Sequence, residues 1–291
     1  MTLEDCRQFY ADEIRLAANI VTPGLADAFA RVPREKFLGS PPWHIGGARP
    51  PGPHNNGYKT SDARDLYHNV LVALDLSRGL NNGQPSALAA WIDALALESG
   101  NAVFHLGCGV GYYTAIMAEV VGNHGRVFAA EVDPHLAARA QQNLASYPNV
   151  SVHSGDGVAF NPGICDAILV NAGVTHPHLP WLAQLTANGR LILPLTTAAS
   201  GGGVMVKIVR EGNRFSAHMI SAVAIYNCSA LRDASLEAKL DKVFASREIL
   251  NLKSLRTDTH VQDATCLVHA RDFCLSAAAV DTLPEPTSTT V

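Results

Sequence analysis

The chain has 291 residues, 47% of them hydrophobic, which is enough for one large core or a core with appendages. Its formal charge is −4 and it contains no basic block, so nucleic acid is not expected as a partner. No stretch approaches the roughly 20 uninterrupted apolar residues that span a bilayer, and the six cysteines are scattered without a CxxC pair, the usage of reduced, cytoplasmic thiols.

The N-terminus, MTLEDCRQFYADEIRL, is acidic and polar and lacks the apolar run of a signal peptide. Residues 3–31 read as helical, with Phe9, Ile14, Leu16, Ala17 and Ile20 at helical spacing and an interruption at Pro23 and Gly24. Residues 39–61, GSPPWHIGGARPPGPHNNGYKTS, are dense in Pro, Gly and Asn and read as a long loop or lid. Tyr10, Trp43, Tyr58, Tyr67 and His68 fall in this N-terminal part, and core packing is the expected role for each.

An alternation follows. Strands are expected at Ala102–Leu106, Arg126–Val132, Val150–His153, Asp166–Asn171 and Arg190–Leu195, with helices at Tyr112–Val121, Pro134–Ser146 and His178–Thr186. Near-continuous apolar strands separated by helices predict an α/β fold, a doubly wound, mostly parallel sheet covered on both faces. The pattern then changes. VMVKIVREGNRFSAHMISAV predicts an antiparallel hairpin about a Glu-Gly-Asn turn, with the glycines 201–203 as a turn before it. A helix near Leu236–Ile249 and a second hairpin, ATCLVHARDFCLS, precede a tail, DTLPEPTSTTV, that reads as frayed. These readings divide the chain into an N-terminal cap with its lid (1–80), a ligand-binding core (81–228) and a C-terminal extension (229–291).

The stretch NAVFHLGCGVGYYTAIMAEVVGNHGRVFAAEV carries the most chemistry. A strand running into Gly107, Gly109 and Gly111 and then into a helix lets a backbone lie against a ligand. Glu131 closes the next strand, where a carboxylate can accept both hydroxyls of a ribose. The dinucleotide fingerprint is GxGxxG, whereas GCGVGY lacks the third glycine at that spacing, which favours S-adenosyl-L-methionine (SAM) over a nicotinamide dinucleotide. A third strand runs into Gly155, Asp156 and Gly157, and the Asp156 carboxylate can accept an adenine amino group. The expected cofactor set is His105, Gly107, Cys108, Gly109, Gly111, Tyr112, Glu131, Val132, Asp156, Gly157, Asn171 and Gln84. Of Tyr112 and Tyr113, one is expected to pack and one to line the pocket. No metal is expected: His176 and His178 lie two apart and Cys266 and Cys274 flank a hairpin, without a full ligand set.

The order of the pieces AFARVPREKFL (Ala28–Leu38), GQPSALAAWIDAL (Gly83–Leu95), HLGCGVGYYTA, AAEVDPHLAARAQQNL, VSVHSGDGVAF, DAILVNAG and LAQLTANGRLILPL resembles the protein-L-isoaspartate O-methyltransferase family of class I SAM-dependent methyltransferases. The likeness covers roughly residues 20–228. It implies a seven-stranded sheet ending in an antiparallel hairpin, with SAM as cofactor. Three departures bear on function. His105 stands where the family has an acid that helps hold the methionine end of SAM; it is expected to donate a hydrogen bond to SAM's carboxylate instead. Gly83 stands where the family has its active-site serine, with Asn82, Gln84 or Ser86 as possible substitutes. The loop after strand four, which lies next to the sulfonium in this fold, reads NAGVTHPHLP and offers His176 as a base. The cofactor side is kept and the substrate side rewritten, so the expectation is methyl transfer to an oxygen or nitrogen nucleophile of a small molecule or peptide intermediate. The alternatives are carboxyl methylation of isoaspartyl protein and a lyase or cyclase that consumes SAM and releases methylthioadenosine; a binding module without catalysis is the least favoured.

Overall fold

The computed structural model describes residues 1–46, 57–199 and 202–283. They fall into two compact units, one ending at Phe160 and the other beginning at Asn161.

The first unit opens with α1 (Leu3–Ala17). The Thr2 hydroxyl accepts from the Asp5 N–H while the Asp5 carboxylate accepts from the Thr2 N–H, so the first turn is capped reciprocally. Cys6, Tyr10, Ala11 and Ile14 form its buried stripe. Next come α2 (Leu25–Arg31), β1 (Trp43–Gly46), β2 (Tyr58–Thr60), β3 (Leu71–Asp75) and β4 (Leu80–Asn81). The four strands form an antiparallel sheet in the order β2-β1-β3-β4. This corrects the expectation of a helical cap with a long loop: Leu38, Trp43, Ile45, Leu66 and Val72 bury together as a small core of their own. The middle of the expected lid, residues 47–56, lies outside the described residues, as does the tail from residue 284.

The alternating part of the unit comprises α3 (Pro85–Ala94), β5 (Ala102–Leu106), α4 (Tyr112–Val121), β6 (Arg126–Glu131), α5 (Pro134–Asn143) and β7 (Val150–Ser154). β5, β6 and β7 are parallel neighbours, in register Phe104↔Phe128 and Ala129↔Val152. All five residues of β5 are buried, as expected for a strand covered on both faces. The boundary expected at 80/81 is not where the chain divides, because α1 packs on α3 and α2 on α4.

Arg34 sits fully buried among Tyr10, Tyr67, Tyr112 and Tyr113. Its guanidinium donates to the carbonyls of Leu66 (2.6 Å), His68 (3.1 Å) and Val70 (2.8 Å) and lies over the rings of Tyr10 and Tyr112. One fixed fork thus gathers three carbonyls of one loop. Tyr10, Trp43 and Tyr67 are buried as expected, while Tyr58 and His68 are exposed.

The second unit contains β8 (Cys165–Val170), α6 (Leu179–Ala183), β9 (Leu185–Thr197), β10 (Gly202–Glu211), β11 (Arg214–Val223), α7 (Ala234–Ala245), β12 (Ser254–Arg256), β13 (Cys266–His269) and β14 (Cys274–Ser276). β8 and β9 are parallel and every later pairing is antiparallel, in the order β8-β9-β10-β11-β12-β14-β13. Beyond the β10–β11 hairpin, with which the expected sheet ends, β12, β14 and β13 continue outward from β11. The expected helix His178–Thr186 is shorter because Leu185 already pairs with Cys165 in the sheet. Gly202 and Gly203 are not a turn but the start of β10, where a Cβ on Gly203 would lie 1.9 Å from the Leu195 carbonyl oxygen. The boundary expected at 228/229 is absent too, since the extension pairs with β11. No helix of the described residues is long and apolar enough to cross a membrane.

Candidate active site

The glycine turn between β5 and α4 has the backbone its sequence demands. Gly107, Gly109 and Gly111 have φ of +77°, +59° and +88°, angles that side-chain-bearing residues rarely adopt. Gly111 is the N-cap of α4, and a Cβ there would meet Leu144 Cδ1 at 2.7 Å. A Cβ on Gly109 would meet nothing within 4 Å, so this glycine serves backbone angle and approach rather than packing. The Gly107 and Cys108 N–H groups donate to the Ala130 carbonyl at 2.8 and 3.1 Å, tying the turn to β6. Cys108 contributes backbone: its thiol is buried, and burial, followed by the Glu131 charge, pushes its pKa up.

Glu131 is the second fixed point. One carboxylate oxygen accepts from the Gly109 N–H at 2.8 Å and the other from the Asp133 N–H at 3.0 Å. Burial raises its pKa above the ordinary carboxylate range, and the two N–H donors act in the opposite direction. The adjacent Val132 is 63% exposed, an apolar side chain open to a ring laid on it. Beyond β7, Asp156 makes an Asx turn, its Oδ1 accepting from the Val158 N–H at 2.9 Å. Gly157 lies where a Cβ would touch Ala130 Cβ at 2.9 Å and Leu106 Cδ1 at 3.0 Å, so only glycine lets this turn close on the strands.

Two expected roles change. Tyr112 does not line a pocket: it is buried against Phe29, Phe37 and Tyr113, with its hydroxyl on that of Tyr10. Tyr113 is the one that reaches the Gly83 loop, its hydroxyl donating to the Gly83 carbonyl at 3.3 Å. His105 is fully buried and its Nδ1 pairs with the Thr114 hydroxyl at 2.9 Å, which places this nitrogen in the core. Its Nε2 is buried without a partner. Burial lowers its pKa to about 3, so the ring is neutral at physiological pH.

The Gly83 loop is anchored from several sides. The Gly83 N–H donates to Asn81 Oδ1 at 2.8 Å, Gln84 Nε2 donates to the Asn69 carbonyl at 2.6 Å, and Ser86 exchanges two hydrogen bonds with the Asn69 amide. Asn69 belongs to the segment whose neighbouring carbonyls Arg34 holds. Gly83 itself has φ +76°, and a Cβ would meet Leu88 Cδ2 at 2.9 Å. On either side of it, Asn82 Nδ2 and Gln84 Oε1 are buried without hydrogen-bond partners. An orphaned donor and an orphaned acceptor flanking one glycine are polar groups suited to a ligand.

Asn171 and His176 belong to the second unit. Asn171 follows β8 directly. His176 is half-buried, stacked on Phe273 at 6.3 Å, with its Nδ1 on the Thr175 hydroxyl at 2.9 Å. That hydroxyl also accepts from the N–H of Asp233, the N-cap of α7. The extension thus holds the loop that carries His176. Burial lowers the His176 pKa, against an opposing contribution from Asp233.

The residues of the first unit suit SAM. The cradle has open space over Gly109 and a carboxylate fixed beside it, and the same unit holds buried polar atoms without partners on His105, Asn82 and Gln84.

Comparison with known proteins gives the family and the fold class. The family model for protein-L-isoaspartate(D-aspartate) O-methyltransferase matches residues 58–227. A protein-L-isoaspartate O-methyltransferase of Ignicoccus hospitalis is 30% identical over 207 residues, 67% of this chain and 86% of its own. Protein-L-isoaspartate O-methyltransferase 1 of Archaeoglobus fulgidus is 35% identical over 199 residues, 67% of this chain and 82% of its own. Among solved structures, a protein-L-isoaspartate O-methyltransferase superposes with a TM-score of 0.60 at 21% identity, covering 82% of this chain and 69% of that one. A Plasmodium falciparum structure in complex with S-adenosyl-L-homocysteine superposes at 0.58 with 17% identity, covering 76% and 97%. These superpositions show the Rossmann-like α/β fold of class I methyltransferases with a mixed sheet.

Proposed function

From the membership of this chain in the protein-L-isoaspartate(D-aspartate) O-methyltransferase family, we propose that it methylates a side-chain carboxylate of a peptide or protein, an isoaspartyl residue in the first instance. The chain is a SAM-dependent methyltransferase. The finer reading, the acceptor, rests on one observation above others: a complete glycine cradle locked to Glu131 lies in the same unit as a polar loop anchored through Asn69, inside the stretch that the family model matches. This favours the isoaspartyl reading over the small-molecule or peptide-intermediate acceptor expected from the departures at His105, Gly83 and the loop carrying His176.

Gly107, Gly109 and Gly111 would present backbone to SAM, Glu131 would accept the ribose hydroxyls, and Val132 and Asp156 would hold the adenine. SAM supplies an electrophilic methyl group. The protein's part is to orient a nucleophile and exclude water. A carboxylate is ionised at neutral pH and has no proton to lose, so this acceptor needs no general base. Asn82 Nδ2, a buried donor without a partner, is the group we assign to the acceptor carboxylate. On this reading His176 positions the loop after β8, and base catalysis by it belongs to an acceptor that carries a proton.

The test uses two peptides that differ only in one aspartyl or isoaspartyl linkage, incubated with the enzyme and methyl-labelled SAM and read by mass spectrometry. A labelled ester on the isoaspartyl peptide, matched by S-adenosylhomocysteine, is the expected outcome. Label on neither peptide overturns the acceptor assignment, and methylthioadenosine appearing without any acceptor replaces methyl transfer with the lyase or cyclase reaction. His176→Ala distinguishes acceptors: turnover on a carboxylate stays within about threefold, whereas an acceptor that must lose a proton costs at least about tenfold.

A further inference from the structure

The C-terminal extension brings four soft or borderline ligands to one point. His260 lies in the loop after β12, Cys266 and His269 begin and end β13, and Cys274 begins β14. The β13–β14 pairing sets His269 directly across from Cys274, and the turn between them closes with an Ala270 N–H to Phe273 carbonyl bond of 2.9 Å. One ligating atom from each of the four side chains lies within 4.8 Å of every other. We propose that His260, Cys266, His269 and Cys274 form a structural zinc site.

The cluster approaches the dimensions of a tetrahedral centre, its widest pair within 4.8 Å, so that side-chain shifts of about 1 Å would complete one. Zinc–sulfur and zinc–nitrogen bonds of about 2.3 and 2.0 Å place neighbouring ligands roughly 3.3–3.8 Å apart. Cys266 Sγ and His260 Nε2 are 3.6 Å apart. The rings of His260 and His269 have centroids 4.8 Å apart and are inclined at 76°, an arrangement in which two imidazoles can aim at one ion.

The surroundings orient the ligands. His260 Nδ1 lies 3.0 Å from the Asp258 carbonyl oxygen and 3.4 Å from its carboxylate, which puts the ring proton on Nδ1 and leaves the Nε2 lone pair toward Cys266. Asp258 is itself held by the buried Arg256, which donates to both its oxygens at 3.0 and 2.7 Å. The Asp263 N–H donates to Cys266 Sγ at 3.4 Å, the kind of contact that stabilises a thiolate. His269 Nδ1 is buried with no hydrogen-bond partner, an atom that a metal would satisfy.

Two cysteines beside two histidines is a ligand set for zinc rather than for magnesium or calcium, which take oxygen. All four tetrahedral positions are filled by protein, so the site is closed and structural; it leaves no position for a reacting group. On binding, each thiol gives up its proton to solvent and the ion is held by two thiolates and two neutral imidazoles. The site lies past residue 227, where the family match ends.

The test is metal content of the full chain purified without chelators or a histidine tag, read by inductively coupled plasma mass spectrometry, followed by titration of the reduced, metal-stripped protein with cobalt(II). About one zinc per chain is expected, together with intense visible bands of tetrahedral cobalt and a sulfur-to-cobalt charge-transfer band. Cys274→Ser should lower bound metal at least about tenfold. Wild-type cobalt spectra keep the test decisive where that variant does not fold. Folded, reduced wild-type protein that neither carries zinc nor develops cobalt–thiolate bands overturns the proposal. Because the readout is metal rather than methyl transfer, it stands or falls apart from the acceptor assignment.

Discussion

Gly109 and Gly111 look alike in the sequence but do different work. Gly111 combines φ +88° with contact against Leu144, so Gly111→Ala carries both a backbone and a packing cost. Stability should fall by about 2 kcal/mol or more, measured by urea denaturation. Gly109→Ala meets no neighbour and carries only the left-handed backbone cost of about 1–2 kcal/mol. Its cradle would nonetheless present a methyl group to the ligand. SAM affinity should weaken at least about tenfold by calorimetry, near 1.4 kcal/mol, while the fold persists. Equal SAM affinity in Gly109→Ala and wild type would mean that the cofactor does not approach this backbone. The tight glycine turn and the carboxylate at the end of β6 are legible in the sequence because both are local features. Tyr112 and Tyr113 were not separable, since two adjacent positions at the start of α4 differ only by about 100° of helical rotation, and what each meets depends on α2 and the Gly83 loop.

At the level of elements, the segment from Leu66 to Val70 matters more than its irregular sequence suggests. Arg34 holds three of its carbonyls, and Asn69 within it anchors Gln84 and Ser86. Arg34→Met keeps the apolar stem but leaves those carbonyls buried without donors, at about 1–3 kcal/mol each. The expected result is a loss of about 3 kcal/mol or more in chemical denaturation, with weaker binding of the acceptor peptide. Arg34→Lys should recover little, because an ammonium lacks the planar fork. The central βα units and the β10–β11 hairpin followed from period and turn chemistry. The sheet β1–β4 did not: its strands span two to five residues, and Pro and Gly between them dominate the local signal. The cluster of His260, Cys266, His269 and Cys274 was equally hidden, because only the β13–β14 pairing places His269 opposite Cys274.

For the molecule as a whole, His105 makes a prediction about acid. Its folded pKa is lowered to about 3, from 6.5 in an open chain. A lowered pKa on a base means that its contribution is fully present above pH 6.5. It declines as pH falls toward 3, because the unfolded chain takes up a proton that the fold refuses. His105→Gln can still bond Thr114 and does not titrate in this window. The difference in stability between pH 7 and pH 4.5 should shrink in that variant by on the order of 1–3 kcal/mol, measured by denaturation at both pH values; an unchanged difference would mean that His105 is not the acid-sensitive group.

The order of strands in the second unit carries a last consequence. Its sheet does not end on the ten-residue β11 but on the four-residue β13, which is broken by a register shift between Cys266 and Val268. A long, regular rim offers a row of unpaired amides on which another chain can zip, and a short, irregular one does not. The extension is therefore also a guard on colloidal behaviour. If a metal clamps β13 to β14, prolonged exposure to a chelator would register first as turbidity and light scattering, ahead of any change in catalysis.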